Sequence, residues 1–204
     1  MEKNFPAEWQ EFIQHDQSGE KHIADIRTKL GLVIEFQRSH LDPQELAKRE
    51  SFYQNMVWVV DGTRLKKPYE KFLKGKKGFR PTDTEGLFYV ASPEACFPAN
   101  WLQSSVPIFL DFLGVAPIHS PDETRELLWC LLPERIERSA LVYAMPRKDF
   151  VEKSSNESKL LQDIVSCSAQ IIRQSREAKE AETIEGWKRY IEEKYHPQRR
   201  HRRL

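Results

Sequence analysis

The sequence predicts a mixed α/β fold, and three adjacent stretches predict it. HIADIRTKLGLVIEFQRS, residues 22–39, alternates apolar and polar residues on either side of Lys29-Leu30-Gly31, the period of two expected of half-buried strands. LDPQELAKRE carries helix-start signals, and MVWVVDG is an unbroken apolar run closed by Asp-Gly, which reads as a strand buried on both faces. A hairpin, a helix and a buried strand in this order call for a right-handed crossover into a parallel position. With 204 residues the chain holds one domain with a real core, expected over residues 1–150. A helical extension with a basic tail is expected over 151–204.

The hairpin fixes its own register. A three-residue loop takes a left-handed residue last, and Gly31 suits that place. Closing the loop this way pairs Thr28 with Leu32, Ile26 with Ile34, Asp25 with Glu35 and Ala24 with Phe36. One face then carries Ala24, Ile26, Leu32, Ile34 and Phe36. The other carries Asp25, Arg27, Glu35 and Gln37. A slip of one residue would mix the two sets. Opposed Cβ atoms lie roughly 4.5–5.5 Å apart, and like charges so placed repel. Periodicity leaves two readings of Asp25 and Glu35 open. Either they line a solvated sheet face with Arg27 as neutraliser, or they converge on a divalent cation such as Mg²⁺, which one or two carboxylates commonly hold together with water and substrate phosphate.

The helix follows from its first turn. Asp42 is a good N-cap, Pro43 suits the first helical position, and Glu45 completes a capping box. The helix is expected to run to about Asn55, with Leu46, Ala47 and Met56 on its buried side. Glu45, Arg49 and Tyr53 recur every four residues and so share one stripe. That stripe is either a set of site contacts or a cap, a surface ion-pair partner and a core aromatic.

Charge is segregated. The net value is +1, yet residues 64–80 hold eight Lys and Arg against one Glu, and the tail HPQRRHRRL adds four Arg. Such segregation points to a polyanionic partner. Lys66, Lys67, Lys76 and Lys77, interleaved with Tyr69, Phe72 and Phe79, read as a loop that tracks a phosphate backbone with aromatics for base stacking, or as a solvated loop whose aromatics close over the core. Further strands are expected at 87–92 and 106–112, with FPANWLQSS between them as a turn or short helix and Trp101 packed. LWCLLP and ALVYAMPRKDF extend or cover the sheet. His119 reads as a plain loop histidine. Residues 154–195 have helical spacing, with Leu160, Leu161, Ile164, Val165, Ile171, Ile172, Ile184, Trp187, Tyr190 and Ile191 in the apolar stripe of one or two packed helices. The Arg-rich end is expected to be disordered. Cys96, Cys130 and Cys167 form neither a zinc pattern nor a disulfide framework. No stretch reaches the roughly 18 apolar residues of a membrane span, and MEKNFPAEWQEF has no signal-peptide core. A cytoplasmic protein is the expectation.

HIADIRT, GLVIEFQRS, RESFYQNM and VWVVDG together resemble the competence protein CoiA-like nucleases of the PD-(D/E)XK class. The resemblance is dense over residues 5–62 and weaker through FPANWLQSSVPIFLDFLG and ALVYAMPRKDF. It implies a restriction-endonuclease-like core, with Asp25 and Glu35 as ligands of Mg²⁺ (or Mn²⁺). Gln37 stands where many relatives carry lysine. The resemblance also implies an upstream segment with another acidic residue and a His/Trp-Lys pattern. The chain is expected to lack that segment, although Glu8 and Glu11 are placed on a short helix.

The leading functional expectation is a metal-dependent DNA nuclease that hydrolyses phosphodiester bonds. Asp25, Glu35 and Gln37 would be catalytic, and Gln37 would orient the attacking water. Arg27, Arg49, Tyr53 and the four lysines would contact nucleic acid. The alternative is a catalytically inactive nucleic-acid-binding protein of the same fold. A third reading is an adaptor that meets a protein partner through its C-terminal helix. The nuclease reading requires that the two carboxylates share one pocket and that no arginine fills the gap between them.

Overall fold

The computed structural model describes residues 1–15, 19–39, 41–63, 68–112, 123–157 and 160–195. Lys66, Lys67, His119 and the Arg-rich end lie outside them. The first half of the chain forms β1 (Gln10–His15), β2 (Lys21–Arg27), β3 (Val33–Gln37), α1 (Pro43–Phe52) and β4 (Met56–Asp61). α2 (Pro68–Lys76), β5 (Arg80–Pro81), β6 (Leu87–Val90) and β7 (Ile108–Asp111) follow. The chain continues through α3 (Glu123–Glu126), β8 (Leu127–Ile136), β9 (Ser139–Pro146), α4 (Arg147–Asn156) and α5 (Gln162–Tyr195).

The strands join one mixed sheet in the order β1-β2-β3-β4-β7-β8-β9-β6-β5. β3, β4 and β7 are parallel neighbours, and the flanking pairs are antiparallel. The unbroken apolar run of β4 lies at the centre because both of its faces are covered. Met56, Trp58 and Val60 pack with Leu46 and Tyr53 of the α1 region and Phe72 of α2. Val57 and Val59 pack on the other side with Phe150 of α4 and Ile172 of α5. α1 thus covers the face that carries Val33 and Trp58. It starts as expected, with Asp42 Oδ1 accepting from the Gln44 N–H at 2.8 Å and Pro43 in the first turn. It ends at Phe52, and Tyr53 is extended.

The hairpin closes as its sequence requires. The Thr28 N–H donates to the Leu32 carbonyl, the Gly31 N–H to the Thr28 carbonyl, and Gly31 has φ of +84°. The β2–β3 register is Ile26 with Ile34 and Arg27 with Val33. The expected continuation to Asp25/Glu35 and Ala24/Phe36 does not form as ladder pairs. The expected sorting of faces also needs correcting. Ala24 joins the cluster on the α1 side, whereas Ile26 and Ile34 belong to the opposite one. Alternation breaks at Asp25.

Three further expectations are corrected. Of the basic stretch, residues 68–76 are the helix α2 rather than a loop, while its aromatics close over the core, the second of the two readings. Phe72 is fully buried, Phe79 packs against Phe72 and Trp129, and Tyr69 packs against Phe112. In α5 only the first half of the apolar stripe is packed. Ile172 is buried, but Ile184, Trp187, Tyr190 and Ile191 are exposed. Glu8 sits in a 3-10 turn and Glu11 in β1, so no single helix carries both. Trp101 is buried in a short 3-10 turn, as expected. Cys96 and Cys130 are buried free thiols and Cys167 is half-buried. Burial raises the first to about 11 and the second well above its ordinary value. No helix among the described residues is long and apolar enough to cross a membrane.

Candidate metal centre at the split hairpin

Asp25 is where β2 and β3 part. In a regular hairpin the Phe36 N–H would bond to the Ala24 carbonyl. Instead it donates to Asp25 Oδ2 at 2.7 Å. The carboxylate is thereby inserted between the strands and held next to Glu35, the residue before Phe36. Glu35 pairs in register with Trp58 of β4, under α1, and is only 3% exposed.

Glu35 has an asymmetric environment. Its Oε2 accepts from Arg49 Nη1 at 2.7 Å. Its Oε1 is buried and has no hydrogen-bond partner. Burial first, and the charge of Asp25 second, raise its carboxyl from the ordinary 4.5 to about 7, while Arg49 offsets part of the rise. A buried acid whose charged form is disfavoured, with one bare oxygen and an acidic neighbour, is a place where positive charge is under-supplied.

Arg49 is bound on two sides. Its Nε donates to Glu45 Oε1 at 2.8 Å, one helical turn earlier. Burial works against its charge, but the Glu45 hydrogen bond and the charges of Glu35 and Glu45 outweigh it, so its affinity for the proton rises. Tyr53 comes off the end of α1 into the same region. Its hydroxyl is buried without a partner and is pushed up to about 12 by burial, then by Glu35. Glu45, Arg49 and Tyr53 therefore do gather around Glu35, as their spacing allowed.

The other expected site residues lie elsewhere or are engaged. The Gln37 amide nitrogen donates to the Ser39 carbonyl at 2.8 Å, at the end of β3. The Arg27 guanidinium sits 4.6 Å from the centre of the Phe12 ring. Lys76 donates to Thr124 Oγ1 at 2.7 Å and lies over Trp129. Lys77 is exposed.

Two residues of this region carry no role in the sequence reading. His22 stacks on Phe52, centroids 4.0 Å apart, with Tyr53 edge-on. Glu50 is the more consequential. It is buried, with no ion pair among the described residues, and accepts from Trp58 Nε1 at 3.0 Å, Ser104 Oγ at 2.5 Å, and the Ser105 N–H and Oγ at 2.8 and 2.7 Å. These bonds tie α1 to β4 and to the segment entering β7, and so hold Arg49 over Glu35. The signal was present in the sequence. Leu46, Glu50 and Tyr53 recur at helical spacing, which puts an acid in a buried stripe.

The residues fit a divalent cation in a minimal way. Among the described residues no cluster of three or more His, Cys, Asp or Glu forms a complete cage. Asp25 and Glu35 supply two carboxylates, one with a bare buried oxygen, which suffices for an ion completed by water and substrate phosphate. The required open gap is only half met, because Arg49 takes one oxygen of Glu35.

Residues 18–85, one third of the chain, match the family model described as Competence protein CoiA, nuclease-like domain. The matched span runs from before β2 to the turn after β5 and contains the split hairpin, α1 and β4. No curated protein and no solved structure matches the chain.

Proposed function

We propose, from the similarity of residues 18–85 to the CoiA nuclease-like domain, that this protein hydrolyses phosphodiester bonds in DNA, with Asp25 and Glu35 holding Mg²⁺ or Mn²⁺. The observation that carries the reading is the bare, buried Oε1 of Glu35 beside Asp25. A divalent ion bound there would polarise a phosphate oxygen and acidify a bound water. The chain's own residues set the conditions for that chemistry. Asp25 is fixed by the Phe36 N–H, so its carboxylate needs no reorganisation. Glu35 is buried under α1, where its charge acts at a lower effective dielectric than in water. Arg49, whose side chain is partly exposed beside Glu35, would supply donors for a phosphate oxygen. Exposed Lys71, Lys74 and Lys77 on and after α2 extend the positive charge available to a nucleic-acid backbone.

The test is cleavage of plasmid and single-stranded DNA in Mg²⁺ or Mn²⁺. Wild-type protein should cut, and Glu35→Ala and Asp25→Asn should lose at least about a hundredfold in rate. Equal behaviour of all three across metals and substrates removes the reading.

One observation favours a second reading, a nucleic-acid-binding protein that has kept the fold without hydrolysis. Arg49 already neutralises one oxygen of Glu35, as an internal substitute for a metal would. That reading predicts a salt-dependent gel shift with no metal-dependent cleavage.

A further inference from the structure

Glu35 is almost wholly buried, and a buried carboxylate left without a counter-charge is strongly destabilising. Before any ion binds, the counter-charge available to it is Arg49, at 2.7 Å. Arg49 differs from a fixed structural partner in one respect. Its Nε edge is held independently by Glu45 at 2.8 Å, four residues back on the same helix. Glu45 is 40% exposed on its side chain, against 3% for Glu35. The guanidinium thus spans an inner acid and an outer acid. It can release the inner one and still keep a hydrogen-bonded partner, because the fork of an arginine presents separate donors to each. The backbone beneath it need not move, since Asp42 caps α1 and Glu50 ties the helix down. The free oxygen, Oε1, marks the side from which a second cation would approach.

We propose that Arg49 is the resident counter-ion of Glu35, yielding it to a divalent cation and being retained at the site by Glu45. The proposal rests on the cation site proposed above and adds to it a competition. One internal charge keeps Glu35 compensated in the ion-free protein and sets how much divalent cation is needed to load it. Glu45 tunes that competition. With Glu45 present, release of Glu35 leaves Arg49 paired. Without it, Arg49 has Glu35 alone and holds it harder.

The experiment is calorimetric titration of Mn²⁺ into the full chain without DNA, run in parallel near pH 7.5 and pH 8.5, so that proton competition at Glu35, which loss of the guanidinium increases, is read as a pH dependence of the affinity. Glu35→Gln sets the non-specific background. Arg49→Gln is expected to bind Mn²⁺ about tenfold more tightly than wild type, and Glu45→Gln about fivefold more weakly, the scale of a modest coupling between sites. Binding by Arg49→Gln that is equal to wild type, weaker or undetectable overturns the proposal. Should Arg49→Gln fail to fold by circular dichroism, Glu45→Gln decides the matter, since its side chain is 40% exposed and glutamine keeps its size. Unchanged or tighter Mn²⁺ binding there overturns it equally. Cleavage is read separately. The expected order of affinities without cleavage sinks the nuclease reading and leaves the Arg49 competition standing. Cleavage without that order does the reverse.

Discussion

The N–H of Phe36 donates to Asp25 Oδ2 at 2.7 Å, where a continuous hairpin would have used the Ala24 carbonyl. A side-chain oxygen has replaced a backbone oxygen in the ladder. The substitution holds Asp25 beside Glu35 and ends the β2–β3 pairing at Ile26 with Ile34. It also carries Ala24 to the opposite core cluster from Ile26. The break in the sheet and the acidic pair are therefore one feature.

Asp25→Asn and Asp25→Ala should separate its two roles. Asparagine keeps an acceptor for the Phe36 N–H, so its stability should fall within about 0.5 kcal/mol of wild type, while alanine strands a backbone donor and should cost about 1–3 kcal/mol. Both should lose Mn²⁺ binding. Urea unfolding and calorimetry check the two readouts, and equal stabilities would show that the ladder closes without the carboxylate.

Glu35 makes stability depend on pH in a set direction. Its carboxyl is held at about 7 in the folded protein against an ordinary 4.5. Below pH 4.5 both states are protonated and its contribution is fully present. As pH rises from 4.5 through 7 the unfolded chain gives up the proton first, so stability is lost across that window, on the order of 3 kcal/mol in all. Glu35→Gln removes the titrating group. Its stability relative to wild type should rise between pH 5 and pH 8, measured by urea unfolding without metal. A difference that stays flat with pH contradicts the raised value. Saturating Mn²⁺ should then stabilise wild type at pH 8 and leave Glu35→Gln unmoved.

Glu50 should be a stability residue rather than a reacting one. Glu50→Ala strands the donors of Trp58, Ser104 and Ser105 and should cost about 3 kcal/mol or more. Ser105→Ala, which removes one of several donors, should cost about 1 kcal/mol. Chemical denaturation checks both, and near-neutral results would mean that α1 is held by apolar packing alone.

The lysines on and just after α2 should divide by environment. Lys76→Gln loses the Thr124 hydrogen bond and the contact with the Trp129 ring. It should lower stability by about 1 kcal/mol without changing the salt dependence of DNA binding. The double change Lys74→Gln and Lys77→Gln touches two exposed side chains and should reduce the slope of log affinity against log salt by about two at unchanged stability. Fluorescence anisotropy over a salt series reads the slope, and the reverse pattern would remove these two lysines from the proposed nucleic-acid contacts.

Gly31→Ala should cost about 1–2 kcal/mol, because φ of +84° is unfavourable for a residue with a Cβ, although no atom crowds that position. Thermal unfolding checks it. A neutral result would mean that the loop can reclose in another turn type.

Local chemistry settled much of this protein in advance. Gly31 in the left-handed region, Asp42 capping the Gln44 N–H, the doubly buried run of β4 and the parallel crossover all follow from residues within a turn or a strand of one another. The stripe of Glu45, Arg49 and Tyr53 was legible because four-residue spacing is a property of the helix itself. Only the tertiary structure decided what those side chains meet. Glu50 is satisfied by Ser104, 54 residues away. Phe72 became core when α2 folded onto the sheet, and the second half of the α5 stripe stayed exposed. Arg49 took one oxygen of Glu35 and left the other bare. Backbone geometry repeats over a few residues, so sequence spacing reports it. A buried charge is balanced by whatever the whole chain brings within hydrogen-bond reach, and no period in the sequence records that.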